Sequence, residues 1–416
     1  MLAPPRLNPD RLRRVDRWVG VPLCFALTIV ARLTSMVRPR RAERADPPRN
    51  ILLIELAEMG TTVLACPAVH RLRQSYPDCR IFFLLFKHID ESVKVLNMVP
   101  DDRVMTIDVS NAWTIVRDTA RLMAHARRQR IDTVINLEVF ARFSTILAYL
   151  SGARTRVGFH PFTQPGQYIG HLFTHNVNYS PHIHTWQSLV ALVKALETPP
   201  GSLPDGKRPA AARDECVVPT IARTAEASDR IRRLIAAERP AAAGKRLIAI
   251  NPNASKLIAI RKWPIDRYAD LIARLLADSG NACVLTGLPS EQDDARYILD
   301  RVKSDRLVDL TGKTTLRELI DLFNVVDVLV TNDSGPAHFA ALTGAHVVVF
   351  FGPETPVLYR PLTDRCTVMY SDFACSPCVS AYNQRRSVCT DHQCLTHIPV
   401  DHVYGTVTRI LQGAAR

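Results

Sequence analysis

The run Thr331-Asn332-Asp333-Ser334-Gly335-Pro336-Ala337-His338 places a carboxylate, a hydroxyl and a glycine in one short polar loop. It follows a strand-like apolar run over 325–330 and precedes a helix-like stretch over 337–342. In parallel α/β sheets that edge, outside the carboxyl ends of the strands, is where ligands bind. The unpaired N–H groups of a helix start suit a phosphate. Gly335 permits close approach of a ligand to the backbone, and Pro336 is tolerated in a first turn, where no N–H is required. The chemistry indicated is the holding of a phosphorylated ligand; an ordinary Asp/Ser helix cap produces the same local pattern.

A second constellation lies nearer the C-terminus. Cys375, Cys378, Cys389 and Cys394 form C-x2-C-x10-C-x4-C. Four thiolates at this spacing could hold a structural zinc ion; a disulfide and free buried thiols are the alternatives. We expect these cysteines to be structural rather than catalytic. Cys24, Cys66, Cys79, Cys216, Cys283 and Cys366 are scattered, so nothing indicates a secreted disulfide scaffold.

The elements that must position these residues read as alternating strands and helices. Asn50–Leu56 is a nearly continuous apolar run, suited to a strand buried on both faces. A turn over 57–60 and a helix over 61–76 follow. Further strands are expected at 80–86, 104–107 and 133–137, with a helix over 112–129. Residues 198–246 are rich in proline and break the pattern. A second alternation starts at 247–251 and runs through strands at 281–286, 307–310, 327–330 and 347–351. Such alternation predicts parallel sheets with crossover helices. The chain therefore reads as three parts: an extension over 1–48, a first doubly wound α/β domain over 49–205 and a second over 206–416. A pair of such domains usually takes its ligand between them.

Charge is unevenly spread. Residues 1–50 hold eleven Arg against Asp10, Asp16, Glu43 and Asp46, a balance of +7 out of the chain's +13. That argues against a general polyanion binder, and arginines concentrated beside an apolar run fit lipid better than nucleic acid. Within the segment, Trp18–Ala31 is free of charge and flanked by Arg13, Arg14, Arg17, Arg32 and Arg38. A spanning helix needs about 20 apolar residues, so this run predicts an interfacial anchor held by arginines on an anionic membrane surface. No small-residue cleavage site follows, against a signal peptide.

Several blocks in order resemble glycosyltransferase family 9, the ADP-heptose:lipopolysaccharide heptosyltransferases, over about residues 50–412. They are Asp309–Leu316, Thr331–His338, Phe351-Gly352-Pro353, Asn251–Ser255 with Arg261-Lys262-Trp263-Pro264, and more diffusely 131–137 and 152–159. The resemblance implies a GT-B fold and inverting, metal-independent transfer from a nucleotide-diphosphate sugar bound by the C-terminal domain. It implies no cofactor for catalysis, and places Ser255 and Lys256 near the donor phosphates and Arg261 against the leaving diphosphate. It also places Glu291 near the ribose, Asp333, Ser334 and Gly335 under the pyrophosphate and sugar, and His338 one turn further on. Similar C-terminal cysteines in the family appear to tie down a loop.

The family's first turn usually ends Gly-Asp, and that Asp is the base for the acceptor hydroxyl. Here the pair is Gly60-Thr61. A threonine hydroxyl cannot take the proton at pH 7, and a sugar hydroxyl is a weak nucleophile that needs a base. Glu58, in the same turn, is the expected replacement, with Thr61 capping the helix or meeting the acceptor. The altered turn and the extension together predict a glycan or glycolipid acceptor at the cytoplasmic face of a bacterial inner membrane. A non-catalytic partner in polysaccharide assembly and a nucleotide-sugar epimerase on the same fold are the competing readings.

Overall fold

The computed structural model describes residues 14–37, 47–198, 203–254 and 256–413. Two compact units are present. The N-terminal unit comprises the described residues up to Val217 with Ala381–Gln384, and the C-terminal unit runs over 218–380 and 385–413.

The N-terminal unit holds a six-stranded parallel sheet: β1 (Asn50–Ile54), β2 (Arg80–Phe86), β3 (Val104–Ile107), β4 (Thr133–Asn136), β5 (Thr155–His160) and β6 (His175–Asn178), in the order β3-β2-β1-β4-β5-β6. Ile51, Leu52, Leu53 and Ile54 of β1 are all buried, as a central strand covered on both faces requires. The expected helix over 61–76 is two helices, Met59–Leu64 and Cys66–Ser75, joined at Ala65 with a proline opening the second. β5 is polar at three of six positions and β6 at three of four, so neither reads as an apolar strand.

Residues 206–217, expected in the second domain, pack instead on the first. Gln187 Nε2 donates to Ala211 O at 2.7 Å, and Lys194 Nζ pairs with Glu215 at 2.9 Å. Residues 381–384 also join this unit. The Tyr382 hydroxyl lies 2.6 Å from Gln164 Oε1 and 3.2 Å from Tyr179 O, with its ring against those of Phe140 and Tyr179.

The basic extension is helical from Asp16, through a π-helical turn at Asp16–Gly20 into Val21–Val37. It is longer than the charge-free run because Arg32 stays exposed while the helix continues. Over Asp16–Met36 it is long and apolar enough to cross a membrane by length and composition. One stripe is docked on the N-terminal unit: Gly20, Cys24 and Thr28 are buried, Thr28 Oγ1 accepts from His171 N at 3.0 Å, and Asp16 pairs with Arg142. Trp18, Val19, Leu23, Phe25, Ile29, Val30, Leu33 and Met36 form the exposed face.

The C-terminal unit repeats the plan with β7 (Arg246–Asn251), β8 (Asn281–Leu285), β9 (Leu307–Asp309), β10 (Val328–Asn332), β11 (His346–Phe350) and β12 (Cys366–Met369), in the order β12-β11-β10-β7-β8-β9. The helix Ile265–Ala277 buries Tyr268, Ala269, Leu271, Ile272, Leu275 and Leu276, the spacing of a helix laid on a sheet. Leu316–Phe323 starts with a reciprocal cap: Glu318 N donates to Thr315 Oγ1 at 3.2 Å and Thr315 N to Glu318 Oε2 at 2.9 Å.

Candidate active site

Each sheet reverses its strand order once, between β1 and β4 and between β7 and β10. The crevice at such a point, beyond the carboxyl ends, is where doubly wound folds bind ligands. The loops after β7 and β10 therefore define the C-terminal candidate site.

Asn332, the last residue of β10, is fully buried and ties these loops together. Its Oδ1 accepts from Trp263 N at 2.8 Å, and its Nδ2 donates to Pro252 O at 2.9 Å and Asn253 O at 3.2 Å. Trp263 is itself fixed: its ring stacks on Phe350 at 4.6 Å, and its Nε1 donates to Ile398 O at 3.1 Å. Arg261, two residues earlier, is held against β10, where its Nη1 meets Asp333 Oδ2 at 3.1 Å. Both side chains are largely buried. Burial pushes the Asp333 carboxyl up, and Arg261 draws it back down. Arg261 Nε is buried with no hydrogen-bond partner among the described residues. The guanidinium thus retains a donor that no described residue matches, as an anion-binding group would.

The remaining sequence-predicted residues divide. Ser334 stands at the N-cap position of the helix Gly335–Ala340, and its Oγ, instead of capping the helix, donates to Asn332 O at 3.1 Å. That helix has six residues, so its dipole is a smaller source of positive charge than the sequence suggested. His338 is buried within it. Glu291 accepts from Leu288 N at 2.7 Å and so shapes its own loop. Its Oε2 and Asn253 Nδ2 close on Gly287 so tightly that a Cβ there would lie 3.0 and 2.7 Å from them. Glu291 and the loop after β7 are therefore brought together. Ser255 lies outside the described residues, and Lys256 opens the 3-10 stretch Lys256–Arg261. Lys262 pairs with Asp294 at 2.5 Å, a bond that belongs to the scaffold.

In the N-terminal unit Glu58 stands at the start of Met59–Leu64, just beyond β1, with Gly60 and Thr61 in the first turn. The Thr61 hydroxyl donates to Glu58 Oε2 at 3.1 Å. Sequence reasoning missed Glu138, just beyond β4. Its Oε1 accepts from Leu56 N at 2.8 Å, the Ala57 N–H adds to the hold, and burial pushes its carboxyl up. The signal was available: an acid two residues past a buried strand.

Among the described residues no group of three His, Cys, Asp or Glu side chains is placed to hold an ion. Cys378 Sγ lies 3.2 Å from Ser387 Oγ, and Cys389 Sγ accepts from His392 N at 3.2 Å. Cys394 is buried under the loop after β11, and burial pushes its thiol up to about 11. Cys378, Cys389 and Cys375 each act electrostatically on Cys394, so the four thiols share one neighbourhood.

The sequence profile of glycosyltransferase family 9 (heptosyltransferase) matches residues 119–388. Lipooligosaccharide heptosyltransferase 2 of Haemophilus influenzae is 34% identical over 112 residues, which are 26% of this chain and 32% of that protein. The segment matching heptosyltransferase 2 of Campylobacter jejuni covers 53% of that relative. So the chain spans about a third to a half of these two relatives. Lipopolysaccharide core heptosyltransferase OpsX of Haemophilus influenzae matches more broadly: 20% identity over 76% of this chain and 82% of the relative. The structure of Escherichia coli ADP-heptose LPS heptosyltransferase II superposes with a TM-score of 0.66 at 19% identity, covering 88% of this chain and all of that one. A family 9 glycosyl transferase from Veillonella parvula gives 0.67 at 17%, covering 89% and 100%. These likenesses establish the GT-B fold, and with the profile spanning well over half of the sequence, the chain belongs to glycosyltransferase family 9.

Proposed function

We propose that this chain is an inverting glycosyltransferase that moves a heptose or related sugar from a nucleotide-diphosphate donor to a lipopolysaccharide or other membrane-linked glycan. The observation that carries the reading is the buried Arg261–Asp333 pair at the C-terminal reversal point, with Arg261 Nε still unmatched. In the reaction an acceptor hydroxyl attacks the anomeric carbon, the bond from that carbon to the diphosphate oxygen breaks, and the nucleoside diphosphate leaves with added negative charge. Arg261 offsets that charge, the task a preorganised cation performs best in a water-poor site. Asp333, Ser334 and Gly335 lie under the pyrophosphate and sugar, with His338 behind them. Ser255, Lys256 and Glu291 serve the phosphates and ribose.

The proton released by the acceptor passes to Glu58, positioned by Thr61. Names of the relatives, a lipopolysaccharide core heptosyltransferase and an ADP-heptose enzyme, support the donor and acceptor classes. The exposed apolar face of the N-terminal helix, flanked by exposed Arg14, Arg17 and Arg32, supports attachment to an anionic bilayer, the inner face of a bacterial inner membrane.

Release of ADP from ADP-heptose by the full-length protein, with heptose-deficient lipopolysaccharide as acceptor, tests the reading. Acceptor-dependent release that persists in EDTA is the expected result. Absence of both hydrolysis and transfer, with the donor bound, favours a non-catalytic partner instead.

A further inference from the structure

The loop after β11 carries a carboxyl group that neither the sequence motifs nor the donor reading uses. Glu354 follows Phe351-Gly352-Pro353 and is 1% exposed. Its Oε1 lies 3.9 Å from Arg385 Nε, and its Oε2 has no hydrogen-bond partner among the described residues. Burial, reinforced by the Asp333 charge and opposed by Arg261, pushes its carboxyl up to about 8. At neutral pH the group therefore holds its proton and can both donate and accept.

The segment bearing the first cysteine pair holds this loop in place. Cys378 N and Val379 N both donate to Pro353 O at 3.0 Å, and Ser376 Oγ donates to Gly352 O. A side chain at Gly352 would collide with Cys394 Sγ and Leu395. Arg385 is braced in turn by Tyr359, whose hydroxyl is 3.2 Å from Arg385 Nη2 and whose ring lies 5.7 Å beneath the guanidinium. A carboxyl fixed this firmly, yet half-unsatisfied, is not a surface residue turned inward by chance.

Glu354 is also not alone. Arg261 Nε and Asn253 Oδ1 are buried and unmatched among the described residues too. Each such atom costs about 1–3 kcal/mol unless something supplies its partner. Asn253 and Arg261 lie in the loop after β7 and Glu354 in the loop after β11, the two strands that flank β10 in the sheet. One unmatched donor and two unmatched acceptors call for a ligand with both anionic oxygens and hydroxyl groups. The donor selects the anion. A second anion beside Glu354 would face Asp333 as well, so a neutral hydroxyl fits that position.

We propose that Glu354 recognises the sugar of the donor, hydrogen-bonding one of its hydroxyls while Arg261 holds the diphosphate. This rests on the reading that the C-terminal unit binds a nucleotide-diphosphate sugar. Glu354 is thus a specificity-determining residue, and the cysteine-bearing segment is the clamp that sets its position.

Calorimetric affinities of full-length wild type, Glu354→Gln and Glu354→Ala for ADP and for ADP-heptose test this. The wild type should prefer ADP-heptose over ADP by about tenfold or more. Both variants should keep the wild-type affinity for ADP, which also reports that they are folded. Glu354→Ala should lose the preference, and Glu354→Gln should retain part of it. Wild-type ADP binding with no preference, or a preference intact in Glu354→Ala, overturns the proposal and leaves the donor reading standing. Failure of the wild type to bind either compound overturns both.

Discussion

The two sheets share one strand order and differ in what stands where that order reverses. At the N-terminal reversal, carboxyl groups meet backbone N–H groups and a hydroxyl: Glu138 against Leu56 N, Glu58 against Thr61. At the C-terminal reversal the carboxyl groups meet guanidinium groups: Asp333 with Arg261, Glu354 beside Arg385. The difference is one of partner: hydrogen-bond donors at one end, fixed cations at the other. In the function we propose, the first end takes the acceptor's proton and the second holds the donor's diphosphate, where Arg261 Nε has no partner among the described residues. Fold alone decides neither task; a few side chains in the loops do.

Four experiments would break or sharpen this contrast. Removing the C-terminal cation should have the largest effect. Arg261→Gln leaves Asp333 buried without its partner, at a cost of about 3–5 kcal/mol, and should lower kcat/KM at least about 100-fold. The double variant with Asp333→Asn should recover stability in a thermal melt without recovering turnover. Next comes the N-terminal acid. Glu58→Gln should reduce kcat by about 10²–10⁴-fold while donor affinity holds. Undiminished turnover would remove Glu58 from its role and leave Glu138 as the carboxyl group at that reversal.

The third experiment concerns pH. The Glu354 carboxyl is raised in the folded state, from 4.5 to about 8. The folded protein then keeps a proton that the unfolded chain releases, so this contribution to stability is complete below about pH 4.5 and lost as pH rises through about 8. Asp333, also raised, acts in the same direction. The slope has a ceiling of about 1.4 kcal/mol per pH unit for one proton. Urea unfolding midpoints at several pH values should fall more steeply for the wild type than for Glu354→Gln; parallel curves would count against a shifted Glu354. The smallest effect is expected at Asn332. Asn332→Ala unties the loops after β7 and β10 and should cost about 1–3 kcal/mol in the same assay, with donor affinity weakened because Arg261 loses its brace.

Much of this was legible in the sequence where the physics is local. The apolar run of β1 announces a buried strand, and the polar loop after β10 announces a strand end. The loss of an acid at Thr61 is visible from the motif itself. What stayed hidden depends on neighbours far apart in the chain. Asn332 reads as a polar residue in a loop, and its importance follows only from β10 lying beside β7, which brings Pro252 and Asn253 within reach. Glu354 reads as a turn acid, and its burial follows from a clamp supplied by residues 376–379. Strands β5 and β6 escaped because polar residues interrupt their apolar pattern: β6 is an edge, which tolerates them, and β5 lies beside it. The N-terminal helix was read too short because charge, which ends an apolar run on paper, does not end a helix whose arginines point to water.

Tyr382 has a practical consequence for anyone dividing this chain. The aromatic wall formed by Phe140 and Tyr179, with Gln164 beside it, is completed by a residue that arrives more than 160 positions after the unit's main segment ends. A fragment stopped at Val217 would lack that stopper and expose rings meant to be covered. Supplying a short peptide that spans Ala381–Gln384 should tighten such a fragment, and a design joining those four residues by a linker would be the sounder starting point for isolating the N-terminal unit.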